Sequence, residues 1–283
     1  MKLDAIPTGG RAAPQSPTPD RQVQGVFSAL LEAAGRSGYA SAQSGRDTPL
    51  ADNSAQAAWF DWFAVERGGG RYASESTADA QQLRSGYGEI LARAHAEGGY
   101  VAPFDFLRRL SQDELEIVQH VHRLAQPIDV GALNEEGALN LLLPPAAQVD
   151  LNHDGLTQAG AGMSLRFPDS NTPASVVDAW EEATAGLPPG ERMMYELRMV
   201  LPTALANIHT DETGAFSHAV EPGDPEWINP LADPGYSYAT ATQQQLDGLD
   251  FALSLGSITR AQYDRQQGFW QGLQDALRER GAQ

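Results

Sequence analysis

Wherever this chain carries apolar residues in quantity, they recur every three to four positions, and that spacing points to helices as the elements that bury them. Residues 20–34 place Val23, Val26, Phe27, Leu30 and Leu31 on one helical face. Residues 57–66 bring together Trp59, Phe60, Trp62 and Phe63, and residues 77–96 align Leu83, Tyr87, Ile90 and Leu91; both sets read as core. Ser111 and Glu114 form a capping box. The helix it opens carries Leu115, Val118, Val121 and Leu124. His120 and His122 lie on that helix two residues apart and so face different directions; both are expected at the surface or its boundary. Thr172 as cap and Pro173 in the first turn start a helix that runs to about Thr184. Residues 191–208 set Met194, Leu197, Val200, Leu201 and Leu205 inward, with a kink at Pro202. Residues 242–254 and 259–280 close the chain as a helix pair with Tyr263, Trp270, Leu273 and Leu277 as the seam. The alternation of half-buried strands is scarce. The expected fold is mostly α, an irregular helical bundle with long loops and a disordered N-terminal tail.

Three parts are expected. Residues 1–55 are rich in Gly, Pro, Ser and Ala and read as a disordered tail. The helix at 20–34 within it is either a docking element for a protein partner or a segment that folds back on the body. Residues 56–145 read as a helical subdomain that ends at Pro144-Pro145. Residues 146–283 read as an acidic helical domain. Within it, residues 209–240 form an irregular stretch too long for a bare connector, either a functional loop or a wrapped surface segment.

Composition narrows the function. The net charge is −18, and Lys2 is the only lysine. Such a surface repels nucleic acid, whose binding requires phosphate neutralisation, and attracts cations and basic partners. From Asn140 onward there are 19 acidic residues against 7 arginines, so the acidity concentrates in the second half. The chain has no cysteine, which excludes disulfides, thiol catalysis and cysteine-based zinc sites. No apolar run reaches the length of a membrane span. The first residues carry no apolar signal core, so the cytoplasm is the expected location, with non-classical export as the alternative.

One stretch carries ligand chemistry. Asp150, Asn152 and Asp154 set oxygen side chains at alternate positions, and Gly155 follows them. Alternate oxygens on a tight loop converge on a point, which suits a hard cation that takes six to eight oxygens. Gly155 permits the backbone reversal. The acidity of this half supports a cation there, and a capped turn is the competing reading.

This D-x-N-x-D-G stretch resembles the first half of an EF-hand or dockerin calcium loop. The resemblance covers about eight residues. It implies Ca²⁺ ligation by Asp150, Asn152 and Asp154, by the Leu156 carbonyl, and by Gln158 directly or through water. The pattern departs where a bidentate Glu should close the shell, since that place holds Ala161. Asp169, Glu181 and Glu182 are the nearest acids able to replace it. A loop short of charged ligands binds weakly, with dissociation on the order of 10⁻⁴ to 10⁻³ M. Residues 255–259 are either a silent partner loop or a plain connection between helices. The expected function is that of a non-enzymatic, acidic, calcium-binding bacterial protein with a structural or interaction role. Two alternatives stand beside it. One is a metal-dependent hydrolase built on His209, Asp211 and His218, with Glu212 nearby. The other is a metal-free adaptor.

Overall fold

The computed structural model describes residues 17–45, 51 and 53–282. Among the described residues are ten α-helices and two small sheets, in agreement with a mostly α fold. The apolar side chains gather into two clusters. One draws on residues from Val23 to Leu151, and the other on residues from Leu165 to Ala282.

The first cluster begins with α1 (Pro19–Ala33), capped by the Thr18 hydroxyl, which accepts from the Arg21 amide. Val23, Phe27, Leu30 and Leu31 are buried in the body. Of the two readings of this helix, the structure has the one in which it folds back on the body, and its apolar face is consumed by the chain's own core. Trp62 on α2 (Ser54–Gly69) anchors α1 through an indole hydrogen bond to Asp20, 2.7 Å. The ordered structure continues past α1, against the expectation for residues 36–55. Tyr39 is buried, and its amide donates to the Ser28 hydroxyl. A 3₁₀ segment follows at Ala40–Gly45. The expectation of disorder for residues 1–16, 46–50 and 52 lies outside the described residues.

Trp59 of α2 packs edge-on against Tyr87 of α3 (Thr77–Ala96), ring centroids 4.9 Å apart. The short α4 (Pro103–Leu107) precedes α5 (Gln112–His122), which opens with the expected capping box of Ser111 and Glu114. His122 is buried rather than at the boundary, because α5 ends there against α3 and the turn that follows α6 (Glu135–Asn140). Leu139, Leu141, Leu142 and Leu143 close this cluster.

The second cluster is built by α7 (Ala174–Thr184), α8 (Pro189–Ala206), α9 (Tyr238–Ser254) and α10 (Arg260–Glu279). Thr172 does not cap α7. Its hydroxyl accepts from the Asp169 amide and donates to the Asp169 carboxylate, so it shapes the turn before the helix. On α8 the expected inward face is reversed. Val200 is buried as expected, but Met194, Leu197, Leu201 and Leu205 are exposed, and Tyr195, Met199 and Thr203 are buried in their place. The physical reason is Tyr195, whose ring stacks on Phe269 of α10 at 3.6 Å and turns that side of the helix inward.

Both sheets are antiparallel hairpins too short to leave an alternating pattern. Strand β1 (Thr157–Ala159) pairs with β2 (Gly162–Ser164), and β3 (Ile208–Thr210) pairs with β4 (Phe216–Ala219). The stretch expected to be irregular from residue 209 thus begins as a hairpin. Residues 255–259 simply join α9 to α10. They do not bridge to the 150–156 loop, whose following strand pairs locally with β2.

Candidate metal centre

The loop at 150–156 lies between the two clusters, and helix α6 holds it at both ends. Asn134 caps α6 by accepting from the Gly137 amide, 2.7 Å. One helical turn separates Glu136 from Asn140, so both project from the same face. Asn140 donates to the Val149 carbonyl ahead of the loop and to the Gln158 carbonyl after it, at 2.7 and 2.6 Å. Its side-chain oxygen Oδ1 accepts from the Val149 amide. Glu136 spans the same ends with its carboxylate: Oε2 accepts from the Leu151 amide, 2.9 Å, and Oε1 from the Gln158 amide, 2.7 Å. Gly137 lets β1 come this close, since a Cβ there would stand 2.4 Å from the Gly160 carbonyl oxygen.

Inside the loop the three expected side chains bond to the loop's own backbone. Asp150 Oδ2 accepts from the Gly155 amide, 2.9 Å. Asn152 accepts from the Asp154 amide, and Asp154 Oδ1 accepts from the Leu156 amide. Asn152 also donates to Asp154 Oδ2, 2.9 Å. Gly155 has a φ of +84°, and a Cβ on it would meet Asn229 at 2.8 Å, so the position is glycine for two reasons. Leu156 turns its side chain into the protein. Gln158 is not brought into the loop. Its amide group accepts from Asn134 and donates to the Gly160 carbonyl, on the α6 side.

The second half of the chain grips the same loop. Trp227 donates its indole N–H to the Asp154 carbonyl, 2.8 Å, and Asn229 donates to the His153 carbonyl, 3.0 Å. Asn171 donates to Asp150 Oδ2, 3.1 Å, and the Asp150 amide donates to the Ser170 hydroxyl.

The electrostatics of this junction are one-sided. Asp150 is 3% exposed, and its Oδ1 is buried without a hydrogen-bond partner. Burial pushes its carboxyl up to about 6, the charges of Asp154 and Asp169 add to that, and the backbone amides of Gly155 and His153 pull the other way. Burial likewise raises Glu136 to about 7, with Asp150 and Asp154 adding to it. Buried carboxylates crowded by other carboxylates favour proton uptake or a cation.

Two of the acids proposed to close the shell are used elsewhere. Glu181 pairs with Arg21 at 2.9 Å, and Glu182 pairs with Arg280. Asp169 does stand beside Asp150, although its Oδ1 is engaged by Asn171 and Thr172. Glu136 is the acid that sequence reasoning missed. It precedes the loop by fourteen residues and belongs to a six-residue helix, so neither spacing nor periodicity marks it.

At the other candidate site, His209 and His218 are partners across β3 and β4, with rings stacked at 4.6 Å. Asp211 Oδ1 is committed to the turn, where it accepts from the Thr213 amide and hydroxyl and from the Ala215 amide. Those bonds hold its carboxyl below the usual range. The whole hairpin is exposed. Among the described residues, no group of three or more His, Asp or Glu side chains is arranged to hold a metal ion. Nor, among them, is any helix long and apolar enough to cross a membrane. Set against family models, curated proteins and solved structures, the chain gives no match.

Proposed function

We propose that the 150–156 loop binds Ca²⁺ and that the ion acts as a structural lock between the two halves of a non-enzymatic acidic protein. The observation that carries this reading is the Asp150 carboxylate. One oxygen is held by the Gly155 amide and by Asn171, and the other is buried with no partner. An unpaired buried carboxylate oxygen is costly, and a bound cation is a group able to satisfy it. The remaining donors are Asn152, Asp154 and the Leu156 carbonyl, a mixed oxygen set suited to Ca²⁺. Asp154 would release the Asn152 amide from Oδ2 to take part. Glu136 would supply the acidic charge missing at Ala161 from just outside the loop. Grips on the loop from α6 and from residues 227–229 would make one ion stabilise both halves.

The test is thermal unfolding of the full chain in Ca²⁺ and in chelator, with NaCl of equal ionic strength as the control for screening. Ca²⁺ should raise Tm in the wild type and leave Asp150→Asn unmoved, while NaCl does neither. Equal shifts in both proteins would sink the site. A second reading, a zinc- or iron-dependent hydrolase, has the facing pair of His209 and His218 in its favour. Metal analysis of purified protein separates the two, since calcium supports the lock and zinc or iron the hydrolase.

A further inference from the structure

Helix α8 carries a second apolar face that the body leaves bare. Met194, Leu197, Leu201 and Leu205 are exposed by 54, 54, 41 and 55%, and Ile208 at the start of β3 continues the line. On the helix the spacing runs three, four, four, the narrow seam of a helix that pairs with another helix. Phe216, 67% exposed, extends the patch from β4. Isolated surface leucines call for no account, but a contiguous row of large apolar side chains marks an interaction surface. Methionines suit such a surface because their flexible thioethers adapt to a partner.

The charge of the segment that follows the seam selects the partner. Between Ile208 and Ile228 there are five acidic residues (Asp211, Glu212, Glu221, Asp224 and Glu226) and no lysine or arginine. On α8 itself, Arg192 is already paired with Glu196 at 2.8 Å, and Arg198 turns toward α9, where it donates to Gln245. A second copy of this chain would bring the same acidic rim against itself, and an anionic membrane surface or nucleic acid would be repelled in the same way. We infer that the exposed face of α8, with Ile208 and Phe216, docks an amphipathic helix of a partner protein whose apolar stripe is flanked by Arg or Lys. This inference does not depend on the calcium site.

The full-length protein would be titrated with a synthetic amphipathic helix of Leu and Lys, and with the same peptide carrying Glu in place of each Lys. The wild type should bind the Lys peptide, bind it more weakly as salt is raised, and not bind the Glu peptide. Leu197→Ser/Leu201→Ser/Leu205→Ser should weaken binding at least tenfold, while circular dichroism shows unchanged helix content, because these side chains leave the core intact. Glu212→Gln/Glu221→Gln/Glu226→Gln should weaken it without touching the seam. No binding, equal binding of the two peptides, or binding unmoved by the serine variant would overturn the inference. So would sedimentation showing a dimer that the serine variant dissociates, an outcome that assigns the face to a second copy.

Discussion

A single histidine shows how far one residue's surroundings override its sequence neighbourhood. His122 looks like one of two polar residues near the end of a helix, yet it is enclosed. Gln148 donates toward its Nδ1 at 2.9 Å, and its Nε2 faces the Leu141 carbonyl at 3.2 Å and the Tyr87 hydroxyl at 3.3 Å. Burial, with Arg71 and then Arg166 adding to it, pushes the imidazole down to about 3. The folded protein thus keeps His122 neutral where the unfolded chain, near its ordinary 6.5, takes up a proton. The stability this histidine provides is present above about pH 6.5 and is lost as pH falls from there toward 3, by at most about 1.4 kcal/mol per pH unit. Urea unfolding of wild type and His122→Gln at pH 7 and pH 5 checks this. The wild type should be the more stable at pH 7, and the gap should narrow at pH 5. A gap independent of pH would show that His122 is not held neutral. The burial was not legible because it depends on Gln148 and Leu141, which no local pattern connects to α5.

At the scale of elements, helices were legible and their orientation was not. Periodicity located α1, α3 and α5 because each has one apolar stripe, and one stripe has one destination. Helix α8 has two. Met194, Leu197, Leu201 and Leu205 make the more obvious line, yet Tyr195, Met199, Val200 and Thr203 are the buried set, because Phe269 and Trp270 on α10 complement an aromatic ring. A stripe read from sequence says that a face is apolar and says nothing about which partner reaches it. The hairpins were missed for a different reason: three- or four-residue strands are shorter than the repeat that alternation needs. The assignment of faces on α8 has a direct measure. Tyr195→Ala should cost about 3 to 4 kcal/mol through loss of a buried stacked ring. Leu201→Ser should stay within about 0.5 kcal/mol of wild type. Denaturant midpoints of the two variants settle it, and comparable losses in both would return the exposed seam to the core.

For the whole molecule the question is what joins two apolar clusters carried by one strongly acidic chain. Arg21 reaches from α1 to Asp178 and Glu181 on α7, and Arg166 donates to the Pro145 carbonyl and to Gln148, so part of the joint is polar and fixed. A further part passes through the 150–156 loop, which hydrogen-bonds to α6 on one side and to Trp227 and Asn229 on the other. In sequence only the loop's own oxygens were visible. Its grips, at Glu136, Asn140, Trp227 and Asn229, come from places the fold alone brings together. A cation in the loop would oppose the mutual repulsion of Glu136, Asp150, Asp154 and Asp169 at the point where the halves meet, so its effect should spread to both. Hydrogen–deuterium exchange in Ca²⁺ against chelator tests that reach. Protection should rise together at Leu151 and Gln158, whose amides donate to Glu136, at Gly155 and Leu156 within the loop, and at Ile228, whose amide donates to Asn207 in the second half. Asp150→Asn should abolish the whole difference. Protection confined to residues 150–156 would leave a local ion site and remove the lock, because an ion that joins the halves must slow opening on both sides of the junction.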